Sequence, residues 1–351
     1  MIIGVVVMVM GCNSGVVKGG EGTGGGEGRG LSGAMMEVGR SAENAFYAFL
    51  ELVSDVLGFT AKVDTKKNEV GAYFNSLGAK LSKASEELEE VAKNAEMGVN
   101  KSSSSKNLIR EAVDIAKGIL KTLKGNLDLL GQVGDNKVVG ETATNSQGTT
   151  VAEAELKKVY NALKAIVKVA TDTGVKALKA GVTTLSINGV DNKDGAKILA
   201  TNNNPGAQDA GKAAIILTAV SGEEILDSII KSGEGDVALV AAAQADTSAI
   251  SFAKGGSDAN LAQNAAQASA VAGGIALRSL VKNGKLASGA VDGSAGGKEE
   301  VQKVGIAAVN KLLGAVEEII KKAVKNVIGE AKGKIDKARD PKVSDSELRS
   351  K

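Results

Sequence analysis

The sequence predicts an all-α protein: an elongated bundle of long antiparallel helices with long polar loops and at most a few short strands. Three observations predict it. Apolar residues recur by threes and fours over long stretches, the spacing that lines one face of a helix. Only two prolines occur in 351 residues, Pro205 and Pro341, so most helices can run without a break. The apolar 43% is mostly Ala, Val, Leu and Ile, with no Trp, three Tyr and five Phe, and side chains that small let helices pack closely.

The elements follow in order. Ser41 can cap a helix carrying Ala45, Phe46, Phe49, Leu50, Val53, Val56 and Leu57. Asp64 can cap a second, whose stripe runs Val70, Tyr73, Phe74, Leu77, Leu81, Ala84, Leu88, Val91 and Ala95. A Ser-rich linker at 100–105 precedes a third helix from about Asn107 to Leu130. Residues 131–148 are rich in Gly, Asn and Thr and read as a surface loop. Thr150-Val151-Ala152-Glu153 has the form of a capping box and opens the next helix.

The middle of the chain is patchier. Leu185 to Val190 reads as a brief extended or hairpin piece, and Thr201 to Gly206 is a turn-rich loop. Helices are expected over Ala213–Val220 and Ile225–Ile230, the second capped by Ser221 with Glu224. The Ala-rich stretches Ala238–Ala253 and Asp258–Val281 also read as helices, and 289–297 as a loop. The last helix is the longest, with Val301, Val304, Ala308, Leu312, Val316, Ile319, Ala323, Val327, Ala331 and Ile335 on one stripe. Glu317–Lys321 and Glu318–Lys322 place acid before base at the favourable spacing of four. No repeat of 20–50 residues stands out, which argues against a solenoid.

The N-terminus reads as an address. Ile2 to Met10 is an apolar run of signal-peptide length, too short to span a bilayer. It ends in Val9-Met10-Gly11-Cys12, which resembles a relaxed bacterial lipobox, without the usual Leu at Val9 and without a basic residue upstream. Cys12 is therefore the expected lipidation site, and several acyl chains there would hold the protein stably to a membrane. The competing reading is a buried structural cysteine. Gly15 to Gly30 reads as a flexible tether; its chance match to a phosphate-loop pattern has no strand before it and no helix directly after. The expected organisation is a signal peptide at 1–11, a lipidated Cys and tether at 12–40, one helical domain at 41–340 and a polar tail at 341–351.

Composition removes most chemistry. There is no His and a single Cys, so the usual general base, an intrachain disulfide and a thiolate metal site are all missing. A net charge of +2 and scarce aromatics give no platform for nucleic acid. The pairs Glu86–Glu87 and Glu223–Glu224 sit on expected helix faces or caps, and Asp191 to Gly195 lacks the ligand spacing of a calcium loop. No cofactor, metal site or catalytic residue is expected. Lys332, Lys334, Lys337, Arg339 and Lys342 make the end of the last helix basic. They are candidate contacts for a polyanion, although a solvated helix end matching its dipole is the stronger reading.

Three stretches carry a family resemblance: the lipobox with Cys12-Asn13-Ser14-Gly15; Leu57-Gly58-Phe59 with Thr65-Lys66-Lys67 and Val70 to Phe74; and Ile275 to Leu286. Together they resemble the variable large proteins of relapsing-fever spirochaetes, related to the variable surface lipoprotein of Lyme spirochaetes. Ser279, Leu280 and Leu286 stand where that family leads us to expect Gly, Met and Phe. The resemblance implies an outer-membrane lipoprotein facing the cell exterior, held to lipid through acylated Cys12 and met by host antibodies. It implies a coat antigen exchanged for immune evasion, with variation in membrane-distal loops. The loops 131–149, 189–211, 232–236 and 284–298 are the expected places for change at little energetic cost. The alternative function is an adhesin for a host surface or serum ligand, such as a glycosaminoglycan or complement regulator.

Overall fold

A computed structural model describes residues 58–97, 104–289 and 297–338. The expected Ser41 helix, Cys12 with its tether, most of the Ser-rich linker, most of the 289–297 loop and the polar tail lie outside the described residues. Within them the molecule is helical with one two-stranded sheet, as the periodicity predicts.

Three long helices come first: α1 (Lys67–Met97), α2 (Ser104–Leu130) and α3 (Glu153–Asp172). A small hairpin follows, with β1 (Ser186–Ile187) antiparallel to β2 (Val190–Asp191). Its turn is Asn188-Gly189, with φ of 53° and 78°, the left-handed pair that matches the twist of the flanking strands. A 3₁₀ segment at Lys193–Leu199 leads to α4 (Asp209–Thr218) and α5 (Gly222–Ile230). Ser221 and Glu224 form the expected capping box on α5. Two short helices, α6 (Ala249–Lys254) and α7 (Asp258–Leu261), precede α8 (Ala268–Leu280), and α9 (Lys298–Ala338) closes the described chain.

α1 lies on α2, and α9 packs along α2, α3, α4, α5 and α8. The predicted stripes are the buried faces: Val70 to Ala95 on α1, Leu156 to Ala170 on α3, and Val301 to Ile335 on α9. α8 differs, because every one of its residues is buried. Its small side chains permit this. A Cβ on Gly274 would fall 2.4 Å from the Cβ of Phe252, so α6 and α8 meet backbone to backbone only because that residue is glycine.

Several expectations are corrected. α1 begins at Lys67, where the Lys66 amide donates to Glu69 Oε2 (2.6 Å), so Asp64 is not its cap. Thr150 does not cap α3: Ala152 occupies the cap position without a side-chain bond. The chain there is held extended instead, with Thr149 N donating to Lys285 O and Ala152 N to Lys282 O. Of the stretch 238–253 only 249–253 is helical, because Leu239 N donates to Gly255 O and Ala243 N to Asn260 O. Likewise the segment 258–281 breaks at 262–267, where Ala268 N reaches Thr183 O and Gln267 bridges Thr184. These tertiary bonds outweigh a local Ala preference of a few tenths of a kcal/mol per residue. The Glu318–Lys322 pair forms at 3.3 Å, whereas Glu317 turns inward and accepts from the Tyr73 hydroxyl.

Candidate functional site

The residues singled out from sequence do not converge on a reaction centre. Glu86 and Glu87 are exposed on α1, Glu223 accepts from the Lys179 amide, and Glu224 serves the α5 cap. Asp191 pairs with Lys193 at 2.9 Å, and Asp194 with Lys197 at 2.8 Å and Lys212 at 2.5 Å. Those contacts lower both carboxyl pKa values, with the lysine hydrogen bonds as the leading cause. The segment is thus a turn tied by ion pairs. No group of carboxylates or thiols among the described residues is arranged to hold a metal ion.

The basic end of α9 is partly neutralised. Lys332 lies 2.8 Å from Asp336, and Lys334 lies 2.9 Å from Glu330. Arg339, Lys342 and the lipidation candidate Cys12 fall outside the described residues.

What the structure adds is a layer of irregular chain clamped by two buried cations that the sequence reading missed. Lys67 opens α1 and is fully buried. Its Nζ donates to Gly284 O at 2.7 Å and Val281 O at 3.2 Å, with Glu141 at 3.9 Å. Burial pulls the ammonium below its usual pKa, against the attraction of Asp135 and Glu141. Arg278, on α8, is also fully buried and has no carboxylate partner among the described residues. Its Nε donates to Ala253 O at 2.8 Å and its Nη1 to Leu199 O at 3.1 Å, while Nη2 has no acceptor. Burial alone pushes its pKa down to about 9, which leaves it cationic at neutral pH.

Lys67 thereby ties the 281–284 turn to the start of α1, and Arg278 ties carbonyls from two separate segments to α8. Gly255 completes the Arg278 clamp: its φ is +85°, and a Cβ there would lie 2.4 Å from Nη2. Both cations carried a signal in the sequence. Lys67 stands one step before Val70 on the α1 stripe, and Arg278 is the lone charge in the apolar run Val271 to Val281.

Outside this clamped layer the loops are open. Val182 is 79% exposed and Val240 is 87% exposed, and residues 201–204 and 233–235 are exposed throughout. Asn202 and Asn204 join neighbouring loops through Asp258 and Asn145 at 3.2 and 3.1 Å. A polar cleft of about 210 Å³ lies between residues 180–181, α5 and residues 245–248. Its Ser228, Ser232 and Ser248 hydroxyls are committed to backbone groups, and Asp227 pairs with Lys231 at 2.8 Å. No nucleophile stands beside a free base there.

A helical body with exposed loops on a clamped interior is the class of protein the described residues define. The chain matches the Borrelia lipoprotein family over residues 42–335, and it belongs to that family. Among its relatives it is 63% identical to Variable large protein 7 of Borrelia hermsii, over 97% of this chain and 93% of that one. It is 56% identical to Variable large protein 21 of the same organism, over 96% of this chain and 93% of that one. The fold is similar to the crystal structure of the Lyme disease variable surface antigen VlsE of Borrelia burgdorferi, with a TM-score of 0.66. That match has 24% identity and covers 86% of this chain and 97% of that chain.

Proposed function

We propose that this chain is an outer-surface lipoprotein that acts as a variable coat antigen, held to the outer membrane by acylated Cys12 and met by host antibodies. The observation that carries the reading is its near full-length identity to proteins named variable large proteins, 63% and 56% in the two compared above. The architecture supports it. Exposed loops project from a body whose centre, α8 with its clamps, is out of reach of solvent. A binder that sees only the surface meets those loops and the outer faces of the long helices. The absence of His and the family's lipoprotein character both favour display over catalysis.

Two measurements test it on cells. Labelling with a fatty-acid analogue is expected to mark the parent protein and to miss the Cys12→Ala variant; label on that variant would remove the anchor from the proposal. Protease added to intact cells is expected to cut the chain; full resistance, with cleavage only after lysis, would refute surface exposure. The adhesin alternative draws less support, since two of the three described C-terminal lysines are already in ion pairs. Saturable, salt-sensitive binding of heparin to the soluble body would favour it.

A further inference from the structure

Asparagine followed by glycine occurs twice in the chain, at Asn188-Gly189 and at Asn283-Gly284. Both asparagines stand at positive φ, 53° and 69°, and both are exposed. The dipeptide has a chemistry of its own, because glycine carries no side chain to shield its amide nitrogen from the asparagine carboxamide. The surroundings of the two pairs differ.

Asn188-Gly189 is the tip of the β1–β2 hairpin. The ladder pairs Ile187 with Val190, so the Gly189 amide lies in the turn, outside that pairing. A Cβ built on Gly189 would meet nothing within 4 Å, and Val190 beside it is 59% exposed. Each strand has two residues, and a hairpin of that size adds little stability of its own. What holds it is its base, where Asn192 N donates to Leu185 O at 3.0 Å and both residues are buried. The tip can therefore swing while the base stays in place.

Asn283-Gly284 is tied down instead. Asn283 N donates to Asp135 Oδ2 at 3.3 Å, Gly284 N to Val281 O at 3.2 Å, and Lys285 N to Thr149 O at 3.0 Å. Gly284 O accepts from the buried Lys67 ammonium at 2.7 Å. A Cβ on Gly284 would fall 2.3 Å from Arg278 O, so this peptide has no room to turn.

We propose that Asn188 is a site of spontaneous deamidation, which the fold permits at the hairpin tip and suppresses at Asn283. The Gly189 nitrogen gives up its proton to water or hydroxide and attacks Asn188 Cγ. The new C–N bond closes a five-membered succinimide, and Nδ2 leaves as ammonia. Water then opens the ring. Attack at Cγ gives aspartate at 188, and attack at the main-chain carbonyl gives isoaspartate. The net change is water in and ammonia out, with no redox step. Either product places a new carboxylate on the hairpin beside Asp191. Isoaspartate also lengthens the main chain by one methylene, so Ile187 and Val190 lose their register. An exposed loop thus changes covalently with age, without any change in the encoded sequence.

The test incubates the full chain at body temperature and mildly alkaline pH and maps its peptides by mass over time. The peptide holding Asn188 is expected to gain about 1 Da and to take a methyl label from a protein isoaspartyl methyltransferase. In the folded chain its rate is expected to exceed that at Asn283 by at least about tenfold, and in urea the two rates are expected to agree within about twofold. Asn188→Gln is expected to abolish the hairpin signal. Equal rates at the two sites in the folded chain overturn the proposal, and so does a ratio that survives urea. One consequence rests on the coat-antigen reading above: antibodies raised against the fresh hairpin are expected to bind the aged one more weakly. Equal binding of both forms would count against that consequence, while the mass map judges the modification itself, so the two failures are distinguishable.

Discussion

Residues 131–149 and 233–246 look alike in sequence, each a stretch of small and polar residues between apolar periodic segments. Their roles in the structure are opposite. The first is woven into the molecule: Val139 N donates to Thr65 O, Gly140 N to Ser279 O, Ala143 N to Leu286 O, and Gly148 N to Ala200 O. Val133 and Val139 are buried, and Lys67 and Arg278 hold the segments beside it. The second touches the body through Leu239 and Ala243 and leaves Val237, Val240 and most of the rest in water. Composition that reads as loop therefore covers two physical situations. In one the backbone groups are satisfied by the interior and cannot be moved; in the other they are satisfied by solvent.

The expectation that 131–149 and 189–211 vary at little cost is corrected by this contrast. Ala196, Ile198, Leu199 and Ala200 are all buried, so much of 189–211 is core as well. The 232–236 loop, extended to 246, keeps the expected freedom. Residues 201–204 keep it too.

The contrast can be broken at its strongest point first. Arg278→Ala strips donors from Ala253 O and Leu199 O and leaves a void, for an expected loss of about 3–5 kcal/mol in denaturant unfolding. A loss under about 1 kcal/mol would show that the clamp is dispensable. Next, Ser221→Ala removes one half of the α5 capping box and is expected to cost about 1 kcal/mol. Val240→Ser, on the open loop, is expected to stay within about 0.5 kcal/mol of the parent. A larger loss there would erase the distinction between the two segments.

A fourth prediction uses pH. The Lys67 pKa is lowered in the fold, chiefly by burial, so the unfolded chain keeps that proton to higher pH than the folded one. Stability linked to Lys67 therefore rises as pH climbs through the folded pKa towards 10.5, the ordinary value, and is lost as pH falls back. Unfolding of Lys67→Met across the alkaline range is expected to lack that upward slope; an unchanged slope would assign it to other groups.

How much was legible varied with the reach of the interaction. The α1, α3 and α9 stripes and the Ser221–Glu224 cap are set by neighbours within a few residues and appear as read, and of the two forms open to 185–190 the hairpin is the one adopted. Thr150 carried the same motif as Ser221 yet caps nothing, because Thr149 and Ala152 are bonded to 282–285. The Ala-rich stretch 238–248 favours helix locally, but the Leu239 and Ala243 amides are spent on Gly255 and Asn260. Lys67 and Arg278 were visible as charges on apolar faces, yet their partners are carbonyls more than 70 residues away or on a neighbouring short helix.

By itself the sequence determined the long amphipathic helices and their buried faces, because periodicity acts residue by residue. The tertiary structure alone decided which Ala-rich segments stay helical, which loops belong to the core, and where two buried cations find their acceptors. Those outcomes turn on backbone hydrogen bonds and desolvation between distant segments, and a buried polar group must take whatever partner the packed chain brings to it.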